Sequence, residues 1–161
     1  MNESASPATR ALSACGIPFA IHRHAQPVHS LEQAARERGL APGQILRSLL
    51  FRLDDGGFVL VLMPGRVQVS WPRLRRYLGV SRVTTATSQE VLQVTGYLPG
   101  TVTPFGLRQP VRLLADTRLL RLDRISLGAG LPNTGLIMQR DDLVRALAPE
   151  LADLSEHPAG G

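Results

Sequence analysis

Two stretches of the sequence carry residue types that could bind or transform a ligand. The first is the glycine loop Gly128–Gly130, which is followed by Asn133. Glycines let backbone N–H groups approach a ligand closely, and an asparagine side chain can add hydrogen bonds to it. A plain turn between two strands fits the same residues equally well. A dinucleotide-binding loop does not fit, because the third glycine falls at Gly135 and Pro132 stands where a helix should begin.

The second stretch contains three histidines, His22, His24 and His29. The first two would share one face of a strand, which is a spacing that metal ligands use. No carboxylate or cysteine stands at a matching distance, so polar positions on the rim of a pocket are the favoured interpretation. We expect neither a metal nor a cofactor. The serines and histidines also lack the G-x-S-x-G elbow and the order of a catalytic triad, which disfavours a serine hydrolase.

The charge of the chain points to an anionic partner. The formal net charge is +5, and all 18 basic residues are arginines, so no lysine chemistry is available. Three arginines, Arg73, Arg75 and Arg76, lie on the polar side of a predicted helix and are called the arginine trio below. They could bind the phosphates of a nucleic acid, and a solvated helix face is the alternative.

The elements that must position these residues are short and irregularly ordered. Helices are predicted for residues 6–15, for LEQAARERG after a Ser30 cap, for WPRLRRYLG, for QEVLQVTG after a Ser88 cap, and from Asp141 to the end of DLVRALA. Strands are predicted for PFAIH, PVRLLA and GLIMQ, and a hairpin for ILRSLLFRL and FVLVLMP. This mixture indicates an α+β fold in which a mixed sheet, curled into a partly closed barrel, is flanked by short helices.

Composition bounds the class of protein. A chain of 161 residues with 43% apolar and 19% charged residues is typical of one globular domain, for which we expect residues 1–153 and a flexible tail at 154–161. No apolar run is long enough to span a membrane, and the first residues do not resemble a signal peptide. The single cysteine, Cys15, fits a reducing compartment. We therefore expect a cytoplasmic protein with no membrane partner.

The order of these segments resembles a known family from about residue 10 to residue 148. The most specific motif is TGYLPGTVTPFG at Thr95–Gly106, supported by AARERGLAPGQILRSLLF and ISLGAGLPNTG. The chain is similar to the YbaK/prolyl-tRNA editing proteins. The resemblance implies an aminoacyl-tRNA deacylase that hydrolyses, in trans, the ester of a tRNA carrying a wrong small amino acid such as Ala, Ser, Thr or Cys. Its partners would be the aminoacylated 3′ end of tRNA and an aminoacyl-tRNA synthetase.

The resemblance also implies site residues. The G-x-x-x-P loop of the family maps onto Gly100–Pro104, where glycine would let backbone amides reach the ester carbonyl and stabilise the negative charge that forms there. The implied catalytic residues are Arg47, Gly100 and Thr101. The implied substrate-binding residues are His24, Ser48, Thr103, Pro104, Gly128, Ala129, Gly130 and Asn133, with the arginine trio binding tRNA.

At Arg47 the sequence departs from the family, which has a lysine there. A guanidinium cannot act as a base, but it can hold the terminal nucleotide and its phosphate. Two alternatives to hydrolysis stay open. One is an inactive module that binds aminoacyl-tRNA or a nucleotide without turnover. The other is a small-molecule or protein-interaction domain on the same fold.

Overall fold

The computed structural model describes residues 5–156. Within this range the chain forms five α-helices and eight strands. The helices are α1 (Pro7–Ala14), α2 (Leu31–Glu37), α3 (Trp71–Leu78), α4 (Ser88–Thr95) and α5 (Arg140–Leu147). The strands are β1 (Ala20–Arg23), β2 (Leu46–Leu53), β3 (Phe58–Pro64), β4 (Val83–Thr85), β5 (Arg112–Asp116), β6 (Arg124–Gly128), β7 (Thr134–Gln139) and β8 (Glu150–Ala152). Two 3₁₀ turns cover Pro42–Gln44 and Thr117–Arg121.

The strands form two sheets, which confirms the α+β class. A three-stranded antiparallel sheet has the order β1-β7-β6. A five-stranded mixed sheet has the order β4-β2-β3-β5-β8, with β5 parallel to both β3 and β8. The predicted closure into a partial barrel is wrong. A parallel bridge between Ile45 and Ser126 joins the sheets, and within residues 5–156 no longer strand pairing continues it.

Local chemistry explains most element boundaries. The β2–β3 hairpin turns through Gly56, whose φ of 86° is the left-handed conformation that glycine adopts readily. The Ser30 hydroxyl accepts from the Gln33 amide and begins α2 as predicted. Helix α4 begins one residue earlier than predicted. Its cap is Thr87 and not Ser88, because the Thr87 side chain accepts from the Glu90 amide and Glu90 in turn accepts from the Thr87 amide.

The core lies on both faces of β3. On one face Leu62 packs with Leu127 and Leu136 of the three-stranded sheet. On the other face Val61 and Met63 pack with residues from α3 and from the C-terminal segment. None of the helices within the described range is long and apolar enough to cross a membrane.

The C-terminal segment packs further than the sequence indicated. Leu154 and Ser155 are fully buried. The Leu154 amide donates to Asp116 Oδ2 at 2.9 Å, and its carbonyl accepts from the Ser70 amide at 2.7 Å. The expected flexible tail is therefore wrong for residues 154–156, because buried apolar surface and these hydrogen bonds hold them. Residues 157–161 of that prediction lie outside the described range.

Candidate active site

Two adjoining cavities lie beside the start of β2. One, the polar cavity, has a volume of about 420 Å³, and the other, the apolar cavity, about 370 Å³. Arg47, Ser48, Gly100 and Val102 line both of them and are called the shared wall below. A ligand that bridges the two cavities would have to pass these four residues.

The cavities differ in the rest of their linings. The polar cavity is completed mainly by Val28, Arg38, Gly128, Leu131, Asn133 and Thr134. The apolar cavity includes Phe51 and Trp71, whose rings meet edge to face with centroids 5.2 Å apart. The structure thus brings five predicted site residues to one place: Arg47, Ser48, Gly100, Gly128 and Asn133.

The loop at Gly100 presents backbone donors to the shared wall. Gly100 has a φ of 87°, which places it in the left-handed region. Within the described part of the chain, the amide N–H groups of Gly100 and Val102 have no hydrogen-bond partner. Thr101 lies between these two residues in the chain, and its amide and its hydroxyl both donate to the Leu98 carbonyl, at 3.0 and 2.8 Å. Thr101 therefore fixes the loop and leaves its two neighbours as donors.

The glycine loop supports this arrangement from behind. A Cβ atom at Gly128 would lie 2.5 Å from the Val102 carbonyl oxygen, so only glycine allows this approach. The Gly130 amide donates to the Thr101 carbonyl at 3.0 Å, and Gly130 lies against the ring of Tyr97. The end of β6 thus holds the Gly100 loop in position.

Ser48 is an unpaired polar group in the shared wall. Its Oγ is buried and has no hydrogen-bond partner among the described residues. A buried hydroxyl without a partner is costly, and native proteins usually satisfy such groups with a protein atom, a water or a ligand. Ser48 Oγ therefore has unused hydrogen-bonding capacity next to the two cavities.

Arg47 turns part of its guanidinium away from the cavities. Its Nε donates to the Gly65 carbonyl at 2.6 Å, and its Nη2 donates to the Val67 carbonyl. Burial lowers the pKa of Arg47 from its usual range, and the nearby Arg66 charge adds to this. Arg47 thus ties β2 to the connection between β3 and α3.

Arg38, at the end of α2, is a cavity residue that sequence reasoning missed. Its Nε donates to His24 Nε2 at 3.1 Å, and its Nη1 donates to Ser126 Oγ at 3.0 Å. A Cβ atom at Gly135 would lie 2.3 Å from the Arg38 Cζ, so the guanidinium lies directly against this glycine. Burial lowers the pKa of Arg38. No spacing signal in the sequence marks Arg38, because its partners are far away along the chain.

His24 lies behind the wall of the polar cavity and not on its rim. It is buried, and its Nδ1 is 2.8 Å from Glu37 Oε1. Because Arg38 Nε can only donate, His24 Nε2 must accept and the ring proton lies on Nδ1. The hydrogen bond from His24, with a second from Gln33, lowers the pKa of Glu37.

His24 and Glu37, together with His22, form the one group of potential metal ligands found in the described range. Ligand atoms of His22, His24 and Glu37 lie within 4.8 Å of one another. Both ring nitrogens of His24 already make hydrogen bonds, to Glu37 and Arg38. A metal ion would have to displace one of these partners, so the geometry serves to orient Arg38.

Four other predicted residues lie outside the two cavities. Thr103 is fully buried, and its Oγ1 has no partner among the described residues. Pro104 lines a separate cavity with Leu107 and Arg108. Ala129 is buried, and its carbonyl accepts from the Ser6 hydroxyl at 2.7 Å. Neither Gly130 nor any of these three residues lines the polar or the apolar cavity.

The arginine trio is only partly free. Arg73 pairs with Asp153 at 3.0 Å, while Arg76 is exposed. Tyr77, on the same helix, is 40% exposed. Its hydroxyl donates to Glu150 at 2.9 Å, and this polar contact keeps the ring at the surface.

Comparison with known proteins gives a consistent result. A family model described as "Aminoacyl-tRNA editing domain" matches residues 25–146. The multifunctional Ser/Thr-tRNA deacylase ProXp-y of Escherichia coli K12 is 30% identical over 146 residues, which cover 88% of this chain and 87% of the relative. The proline–tRNA ligase of Limosilactobacillus fermentum is 32% identical over 105 residues, which cover 63% of this chain but 18% of the ligase.

A solved structure agrees with the sequence matches. It is described as a candidate trans-editing enzyme for prolyl-tRNA synthetase. The two folds superpose with a TM-score of 0.88 at 26% identity, over 98% of this chain and 99% of the other.

Proposed function

The chain belongs to the aminoacyl-tRNA editing domain family, and we propose that it is a deacylase that hydrolyses the ester of mischarged aminoacyl-tRNA in trans. The observation that carries the proposal is the set of unpaired donors in the shared wall. Ser48, Gly100 and Val102 line both cavities, and within the described residues the Ser48 Oγ and the amides of Gly100 and Val102 have no hydrogen-bond partner. Such a cluster suits a reacting carbonyl better than it suits a structural turn.

The chemistry follows from these donors. A water attacks the ester carbonyl carbon, and the amides of Gly100 and Val102 stabilise the negative charge on the carbonyl oxygen. The bond to the ribose oxygen then breaks, the ribose oxygen takes up the proton that the attacking water gives up, and a free amino acid leaves. No Asp, Glu, His or Cys is found among the described residues that line the two cavities. The water is therefore positioned by Ser48 and by the free hydroxyl of the terminal ribose, and the reaction uses no cofactor.

The orientation of the substrate follows from charge. The aminoacyl group carries a cationic ammonium; Arg47 lines both cavities, and Arg38 adds a second arginine to the polar cavity alone. Like charges repel, so the aminoacyl group belongs in the apolar cavity and the nucleotide in the polar one. A small amino acid such as Ala, Ser, Thr or Cys fits the apolar volume of about 370 Å³ together with part of the ribose. The site of action is the cytoplasm, where aminoacyl-tRNA is used.

The test is a deacylation panel with the purified protein and tRNAs carrying Ala, Ser, Thr or Cys. We expect release of at least one of these amino acids, and a loss of about tenfold to hundredfold in Ser48→Ala because a positioned polar group is removed. Ser81→Ala is the matched control, since Ser81 is exposed and lines neither cavity. Absence of release from every substrate would refute the deacylase proposal.

One observation favours a second candidate, an inactive module that binds the same substrate. The family lysine is replaced by Arg47, and two of its donor nitrogens bind backbone carbonyls. Binding of aminoacyl-tRNA with no release of amino acid would support this candidate. Deacylation by the wild-type protein would exclude it.

A further inference from the structure

The polar cavity carries positive charge that no residue of its lining neutralises. Arg38 and Arg47 line it, and none of its described lining residues is a carboxylate. Neither arginine takes part in an ion pair within residues 5–156. The charge of Glu37 acts on Arg38, but this carboxylate is hydrogen-bonded to His24 and not to the arginine. Partly burying a cation without a directly paired counter-ion is costly, so the arrangement is suited to an anionic ligand.

Within the described residues each of the two cations keeps one terminal nitrogen without a hydrogen-bond partner, but Arg38 lines the polar cavity alone and Arg47 lines both cavities. Arg47 donates from Nε and Nη2 to the backbone carbonyls of Gly65 and Val67. Arg38 uses Nε and one N–H of Nη1, and its Nη2 has no hydrogen-bond partner in the described part of the chain. A guanidinium with free, parallel donors is well suited to phosphate oxygens.

The surroundings of Arg38 restrict its rotamer. His24 accepts from Nε on one side, and the His24 ring is itself oriented by Glu37. Ser126 accepts from Nη1, and its own hydroxyl donates to the Leu136 carbonyl at 2.6 Å. Gly135 leaves the space in which the guanidinium lies. This preorganisation lowers the entropy that a long side chain loses on binding.

We propose that Arg38 binds the 5′ phosphate of the terminal adenosine of tRNA in the polar cavity, with His24 as its positioning residue. The assignment rests on the proposed function, because it takes an aminoacylated tRNA end as the ligand. It moves the phosphate contact from Arg47, where the family resemblance implies it, to a residue on α2.

The experiment compares two probes by NMR titration at physiological salt, adenosine 5′-monophosphate and adenosine. We expect the wild-type protein to prefer the monophosphate by about tenfold or more, the size of a charge-assisted contact. Arg38→Gln should bring this preference close to one while leaving the affinity for adenosine unchanged. Arg36→Gln is the matched control, since Arg36 is an exposed arginine of the same helix.

A second variant keeps the charge and moves it. Gly135→Ala adds a Cβ atom that must displace the Arg38 guanidinium, and the backbone of Gly135 is not in the left-handed region. It should reduce the phosphate preference with Arg38 still present, and it decides the question if Arg38→Gln does not fold. An unchanged preference in a folded Arg38→Gln or in Gly135→Ala would overturn the proposal.

The two proposals fail separately. A wild-type protein that releases amino acids but shows no preference for the monophosphate would overturn the role of Arg38 and leave the deacylase proposal intact. A protein that shows the preference, loses it in Arg38→Gln and releases no amino acid supports the role of Arg38 and refutes hydrolysis.

Discussion

Replacing Arg47 by methionine should destabilise the fold more than the same substitution of an exposed arginine would. The change keeps most of the apolar stem and removes the donors to the carbonyls of Gly65 and Val67. Hydrogen bonds from charged groups contribute about 1.5–3 kcal/mol each, and partial exposure of this side chain reduces that value. We expect a loss of about 2–4 kcal/mol in the free energy of unfolding. For a domain of this size the melting temperature should fall by about 5–15 °C.

The assay is urea unfolding followed by circular dichroism, with Arg52→Met as the matched control. Arg52 lies on the same strand and pairs with Glu90, but its side chain is 41% exposed. Exposed ion pairs contribute about 0–1 kcal/mol, so the control should unfold close to the wild type. Arg47→Lys should recover about half of the free energy of unfolding that Arg47→Met loses, because a lysine ammonium can reach one of the two carbonyls but not both.

The deacylation rate of the Arg47 variants tests whether Arg47 has a structural or a substrate-binding role. If Arg47 acts mainly as a tie between β2 and the β3–α3 connection, Arg47→Lys keeps most of the deacylation rate measured at low temperature. A variant Arg47→Met that unfolds like the wild type but loses activity would refute this reasoning. It would show that the guanidinium leaves the carbonyls and contacts the substrate.

Three further predictions test other parts of the site. Gly128→Ala should lower the free energy of unfolding by about 1–3 kcal/mol and lower kcat, because the new Cβ meets the Val102 carbonyl. Gly43→Ala is the control, because a Cβ at Gly43 meets no atom within 4 Å. Equal stability and equal kcat in the two variants would contradict the close approach at Gly128. Changing the arginine trio to glutamine should weaken tRNA binding and reduce the slope of log affinity against log salt by about 2. The expected change is about 2 and not 3 because Arg73 is already paired with Asp153. An unchanged slope would assign the trio to a solvated face. Burial, together with the nearby charge of Arg38, lowers the pKa of His22 below its ordinary 6.5, so the unfolded chain binds more protons and stability should fall as pH drops below about 6.5. Urea unfolding between pH 5 and 7.5 should show a smaller slope in His22→Gln, and an identical slope would exclude His22 as the cause.

Elements whose signals are local could be predicted from the sequence. The β2–β3 hairpin follows from two apolar runs across an Asp/Gly turn, and its register sets Arg47 opposite Met63 and Ser48 opposite Leu62. The loop at Gly100 followed from a motif. The packed segment at Leu154 could not be predicted, because its burial depends on Asp116 and Ser70, which are distant in sequence.

The site itself shows the same division between local and distant causes. Ser48, Gly100 and Asn133 could be found because glycine, serine and asparagine stand in short motifs. The charge of the polar cavity could not, because Arg38 meets Ser126 at a separation of 88 residues and enters the cavity only when β6 and β7 pack beside α2. A motif-based transfer therefore assigned the cation to Arg47, the position aligned with the family lysine. Arg47 stands in place of that lysine and donates to backbone carbonyls. If Arg38 supplies the phosphate contact, the cavity keeps its positive charge despite this replacement. The departure from the family pattern is then compatible with activity.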